Sequence, residues 1–189
     1  MTPEIEREIT WKVRSGFYSK EDLLETICED IDDESESDPA EVEAAIDAAW
    51  SQWIAEQESW PPETDCNRLD RVFDALNQKG VIALQNAGVT QSDGYSDVYE
   101  IYKQSPHPES VAGYCFYHAQ DLERAVEGIG LFLAFGPMDS KKEETDGPAV
   151  GRIIVGELAK EGLEVKWNGT FSQRIHVPRI DWKRRVSEE

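Results

Sequence analysis

The sequence predicts an α+β fold, with a mixed sheet of about five strands and flanking helices, preceded by an acidic helical region. Three observations carry this expectation. Apolar residues recur at helical spacing through the first third of the chain. Beyond it, short β-rich runs alternate with amphipathic stretches, which favours some parallel pairing. Near the end, Asn168-Gly169 separates two extended segments, the signature of a final hairpin. Residues 1–62 thus read as the helical region and residues 63–189 as the sheet domain, the two expected to pack as one unit.

The first helix is predicted from Ile5, Ile9 and Val13 at i, i+4, i+8, with Gly16 as its C-cap. Ser19 followed by Asp22 opens a second helix with a capping-box pattern and an apolar stripe of Leu23, Leu24, Ile27 and Ile31. Asp38, Pro39 and Glu41 suit the N-cap, first and third positions of a third helix. Its apolar face is Val42, Ile46, Trp50, Trp53 and Ile54, and Trp60-Pro61-Pro62 ends it. The stretch from Glu29 to Asp38 is read as an acidic loop.

A helix over Asp65–Lys79, with Leu69, Val72, Phe73 and Leu76 inward, stops at Gly80 and yields to the strand VIALQ. Gln91–Lys103 is predicted helical, with Val98, Ile101 and Tyr102 on the apolar side. AGYCFYH and LFLAFG are strands around a short helix at Asp121–Glu127. Met138–Asp146 is a charged loop leading to Gly147-Pro148 and a helix that ends at Gly162. Glu164–Trp167 and Arg174–Trp182 would close the sheet. Lys183-Arg184-Arg185 reads as a solvated, frayed end.

Composition restricts function more than any motif does. The 189 residues include 39 acidic and 19 basic side chains, a formal charge of −20. Residues 1–65 hold 20 acidic and 4 basic residues, and no basic residue occurs between Lys20 and Arg68. Nucleic acids and anionic membranes are bound by the opposite balance, so neither is an expected partner. Apolar runs fall far short of the roughly 20 residues that span a bilayer. The N-terminal stretch is charged from its fourth residue, unlike a secretory signal. Three cysteines without CxxC spacing point to a reducing, cytoplasmic compartment.

Two phrases resemble a bacterial domain family of unknown function: the segment Thr64–Val98, containing QNAGVTQSDG, and the segment Gly113–Gly136, containing GYCFYHAQDLERA. VRSGFYSKEDLLE and the stretch from Gly151 to Trp167 are similar to that family as well. The resemblance implies a shared fold and supplies no activity.

Candidate chemistry is sparse. Cys115, His118 and Asp121 form a CxxHxxD cluster that Cys66 and His176 would join in space. A strand through Gly113–His118 would send Cys115 and His118 to opposite faces, a poor arrangement for one ion, and no metal or other cofactor is expected. His118 followed by Asp121 has the order of a base and its orienting acid, and equally that of a strand-end histidine bonded to the next helix. Gln85, Asn86, Gln91 and Asp93 follow a strand, where ligands sit in open sheets, and with Tyr117, His118 and Asp121 would line a polar pocket. The same residues also suit a self-bonded structural turn.

The acidic block is the other candidate. Glu29, Asp30, Asp32, Asp33, Glu34 and Glu36 would steer a basic protein partner onto this face, with Phe17, Tyr18 or Trp60 as an apolar anchor. The expectation is an acidic protein-binding module, of the immunity or inhibitor type, that neutralises a basic bacterial toxin such as a nuclease. The alternative is a small-molecule binder or hydrolase that uses the polar pocket. No catalytic residue is assigned.

Overall fold

A computed structural model describes residues 1–29 and 38–186, the side chains of Cys28 and Glu29 excepted. The chain divides into two compact units. One comprises residues 1–64 and 182–189, the other residues 65–181.

The first unit is built on three helices: α1 (Pro3–Ser15), α2 (Lys20–Glu29) and α3 (Pro39–Gln57). Each begins where the sequence places a cap. Thr2 accepts from the Ile5 N–H, and Asp38 accepts from the Ala40 N–H. Ser19 and Asp22 exchange side chain-to-backbone bonds of 3.0 Å in a reciprocal box. Gly16 closes α1 at φ 73°, a conformation that costs glycine nothing sterically. The helical stripes meet in one core of Ile9, Val13, Leu23, Ile27, Val42, Ile46, Trp50 and Trp53. Ile31, expected on the α2 stripe, lies outside the described residues.

The basic C-terminal run is not a frayed end. Trp182 is buried and donates its indole N–H to the Ser15 carbonyl at 3.0 Å. The Arg184 guanidinium lies over the Phe17 ring, 4.4 Å from its centre. Arg185 donates to the Pro61 carbonyl at 2.6 Å, and the Val186 N–H to Gln57 Oε1 at 3.0 Å. The correction has a simple cause. The turn after α3 leaves the Pro61 and Pro62 carbonyls and the Trp60 ring for Arg185, and the segment after α1 leaves the Phe17 ring for Arg184.

The second unit is a four-stranded sheet in the order β1 (Val81–Leu84), β2 (Gly113–Phe116), β3 (Leu131–Gly136), β4 (Ile175–Val177). β1 and β2 are parallel, and the other two pairings are antiparallel, so the sheet is mixed as expected. Helices α4 (Asp65–Gln78), α5 (Gln91–Gln104), α6 (Ala119–Val126) and α7 (Glu143–Lys160) connect and cover it. Asn77 pins α4 to β1 by pairing its amide with both the N–H and the carbonyl of Ala83 at 3.0 Å. The α5 side of the sheet is a cluster of Ile82, Ala87, Val98, Tyr114, Phe116 and Ala134. Strand alternation turns the neighbours Gly113 and Cys115 to the other side, where Gly113 has no room for a Cβ against Val150 of α7.

Three expectations need correction. The strand expected at Glu164–Trp167 contributes only the bridge Lys166–His176, leaving four strands. Its Asn-Gly link fails as a two-residue turn because only Gly169, not Asn168, has positive φ. Instead Asn168 Oδ1 accepts from the Thr170 N–H at 2.9 Å, and the Trp167 indole donates to the Thr170 and Gln173 carbonyls. Second, α7 starts at Glu143 and runs through Pro148, so the charged loop is shorter than expected. Glu143, Glu144 and Asp146 favour a helix start at that point electrostatically. Third, Ile101 is 43% exposed, because α5 meets the sheet along Gly94, Val98 and Tyr102.

Gly94 fixes how closely α5 approaches the sheet: a Cβ there would stand 2.3 Å from the Phe116 ring. Gly94→Ala is therefore expected to destabilise the second unit by about 1–3 kcal/mol through overpacking, despite alanine's better helix propensity. Urea unfolding followed by a tyrosine signal from this unit measures it, and an unchanged or raised midpoint would contradict the close packing.

Candidate functional site

The polar residues singled out in the sequence gather at the C-terminal ends of β1 and β2. Beyond β1 the chain turns through Asn86 at φ 51° and Gly88 at φ 62°. Two backbone bonds then stitch it to the end of β2, Ala87 N–H to the Tyr117 carbonyl at 2.9 Å and Ala119 N–H to the Gly88 carbonyl at 3.0 Å. Asn86 tolerates the left-handed region better than most residues, which is why an amide fits there.

The side chains are largely committed to one another. The Tyr117 hydroxyl donates to Gln85 Oε1 at 2.9 Å, and Gln85 Nε2 donates to Asp70 at 2.8 Å. Tyr117 itself is buried against Phe73 of α4. Asp93 closes a capping box at the start of α5, accepting from the Thr90 N–H at 2.8 Å and the Thr90 hydroxyl at 2.9 Å. Those two bonds, the backbone one first, hold its carboxyl below the usual range. Gln91 turns away from the group and donates to the Tyr95 hydroxyl at 3.0 Å. Of the seven residues expected to line one pocket, the structure links Gln85 to Tyr117 and His118 to Asp121.

His118 and Asp121 form the most unusual polar arrangement in the second unit. His118 is the N-cap residue of α6, and Asp121 sits in the first helical turn. Both are buried, and His118 Nε2 stands 3.0 Å from Asp121 Oδ2. Asp121, with no solvent exposure, also takes Arg124 Nη1 at 3.0 Å and both terminal nitrogens of Arg174, Nη1 at 3.1 Å. Arg174 Nη2 donates in addition to the Phe132 carbonyl at 2.8 Å. Because an ionised carboxylate only accepts, the 3.0 Å approach of Nε2 to Asp121 favours the tautomer with the proton on Nε2 and the lone pair on Nδ1. That Nδ1 is buried and meets no hydrogen-bond partner among the described residues.

The electrostatics keep this histidine neutral. Burial lowers the His118 pKa from its ordinary value of 6.5, and Arg174 and Arg124 push the same way against the opposing pull of Asp121. Chemically, a neutral imidazole oriented by a carboxylate has the parts of a general base, but here two guanidiniums already consume the carboxylate. The arrangement is that of a buried ionic joint.

Cys115 turns to the α4 and α7 side, fully buried, and burial raises its thiol pKa so that it stays protonated. Among the described residues, no three His, Cys, Asp or Glu side chains are grouped to hold a metal ion. The acidic set lies elsewhere. Glu29 ends α2, while its side chain and Asp30, Asp32, Asp33, Glu34 and Glu36 lie outside the described residues. Of the proposed anchors, Phe17, Tyr18 and Trp60 are half-buried and pack against Trp182, Trp11 and Trp53 respectively. Sequence reasoning missed Arg174. A single arginine ahead of an apolar strand gives no local sign of its partner 53 residues away, whereas Arg124 at i+3 from Asp121 was readable.

With this fold and polar joint in place, the chain belongs to a family described as a domain of unknown function (DUF6891), matched over residues 1–186. No curated protein matches it, and no solved structure does. No helix among the described residues is long and apolar enough to cross a membrane.

Two outcomes follow from the joint. Asp121→Asn, which strands Arg174 beside a neutral amide, is expected to cost about 3–5 kcal/mol in chemical unfolding. Because the native state resists protonating His118, wild-type stability should fall as pH drops below 6.5, where the unfolded chain binds the proton first. The part of that loss due to His118 should vanish in His118→Asn. Identical pH slopes in the two proteins would show that the ring is not held neutral.

Proposed function

We propose that this protein is an acidic protein-binding module whose helical unit docks a basic protein, the target being a toxin such as a nuclease that the complex would neutralise. The supporting observation is the disposition of charge in the first unit. Residues 1–64 and 182–189 carry 21 acidic and 7 basic side chains. Basic groups there are spent internally: Lys12 on Glu8, Arg14 on Glu56, Lys20 on Asp47, and Arg185 on backbone carbonyls. Glu21, Glu25, Glu43 and Glu58 remain exposed, with no ion pair among the described residues. The run from Glu29 to Glu36 adds further negative charge in sequence between α2 and α3. A field of one sign attracts a cationic surface and speeds encounter, while the toxin's phosphate-gripping groups would meet carboxylates in place of phosphates.

The competing reading, a small-molecule binder or hydrolase at Gln85–Asp93 and Tyr117–Asp121, rests on the unpartnered Nδ1 of His118. The commitment of Gln85, Asp93 and Asp121 to intramolecular bonds favours the docking reading over it.

Affinity capture from native lysate at low and moderate salt, read by mass spectrometry, tests the proposal. The expected result is a stoichiometric basic protein whose association slows tenfold or more when Glu29, Asp30, Asp32 and Asp33 are changed to Lys. Purified partner should lose its activity on adding the wild-type chain. Binding that is indifferent both to salt and to these reversals would overturn the electrostatic reading.

A further inference from the structure

A cavity of about 370 Å³ opens between α5 and the ends of β2 and β3, apart from the His118 joint. Tyr95 and Tyr99 of α5, Tyr114 of β2, Met138 and Glu143 form much of its wall. The volume lies within the range of small-ligand sites. Its lining is chemically one-sided, with one carboxylate and no basic side chain.

Two polar groups in that wall lack the partners their burial calls for. Tyr114 is 5% exposed, and its hydroxyl makes no hydrogen bond among the described residues. Glu143 is half-buried and forms no ion pair among them. Burial first, then the Tyr95 hydroxyl at longer hydrogen-bonding range and the charge of Glu143, raise the Tyr114 pKa, so the phenol stays protonated and neutral. A neutral phenol oxygen accepts from an N–H, and the Glu143 carboxylate, although favourably placed at the start of α7, still attracts a cation within the cavity. The tyrosine faces supply the third element. The Lys103 ammonium lies 4.2 Å from the Tyr99 ring centre, so the chain's own cation engages one face of that ring and a guest would use Tyr95 or the opposite face. An anion would be repelled by Glu143, and a purely apolar guest would leave both polar groups desolvated and unpaired.

We propose that this cavity binds a small organic ammonium ion carrying at least one N–H, paired with Glu143, bonded to the Tyr114 oxygen and stacked on Tyr95 and Tyr99. The assignment is independent of the docking reading, since it concerns only the second unit.

Butylammonium is the probe, titrated into the full chain and followed by NMR of tyrosine ring signals. The comparison set is 1-butanol, neutral and of similar shape; butyrate, of opposite charge; and butyltrimethylammonium, a cation without N–H. Saturable shifts at Tyr95, Tyr99 and Tyr114 are expected for butylammonium, with 1-butanol and butyrate at least tenfold weaker. Glu143→Gln should weaken butylammonium at least tenfold while leaving the melting temperature unchanged. Tyr114→Phe should weaken butylammonium several-fold and leave butyltrimethylammonium unaffected. Equal affinity for 1-butanol, or full binding by Glu143→Gln, would overturn the proposal. So would non-saturating shifts spread over the acidic helical unit, the mark of general counterion attraction. If Tyr114→Phe does not fold, the Glu143→Gln result and the 1-butanol comparison decide.

Discussion

The second unit is organised around a buried negative charge. Asp121 has no contact with solvent, and an unpaired carboxylate there would cost several kcal/mol, so everything around it is arranged to neutralise it. Arg174 reaches it from the residue before β4, and the same guanidinium holds the Phe132 carbonyl of β3. Arg124 meets it from the next turn of α6, and His118 from the end of β2. One carboxylate thus joins α6 to three strands. The aromatic stack of Phe132 on His176, with ring centres 4.1 Å apart, extends the same junction along the β3–β4 pair.

The first unit reaches order by another route. Its core is apolar and aromatic, and its charges lie outside, where water and salt screen them. A surface so strongly acidic repels itself, which ion pairs such as Lys12 with Glu8 and Lys20 with Asp47 partly offset. The two units therefore present opposite uses of charge. In one it is buried, paired and structural; in the other it is displayed at the surface.

That contrast bears on function. Groups already satisfied by their own chain have little binding capacity left, and most of the polar cluster at the ends of β1 and β2 is of this kind. Capacity remains where burial and satisfaction part company, as at the Tyr114 hydroxyl, or where one sign of charge goes unopposed, as on α2 and α3.

The sequence by itself determined what depends on neighbours within a few residues. Caps at Ser19 and Asp38, the Gly16 and Gly80 stops, and the Val42–Trp53 stripe are all local physics, and the helices they bound formed where that physics put them. The His118–Asp121 contact, one helical turn long, was legible for the same reason. Tertiary structure decided what depends on distant partners. It committed Asp121 to Arg174, returned Trp182 to Ser15, reduced the last hairpin to a single bridge and set three tyrosines and a glutamate around one cavity. Periodicity records which face of an element is apolar, but not which distant side chain will meet the polar groups it buries, because that meeting is fixed only once the chain has closed on itself.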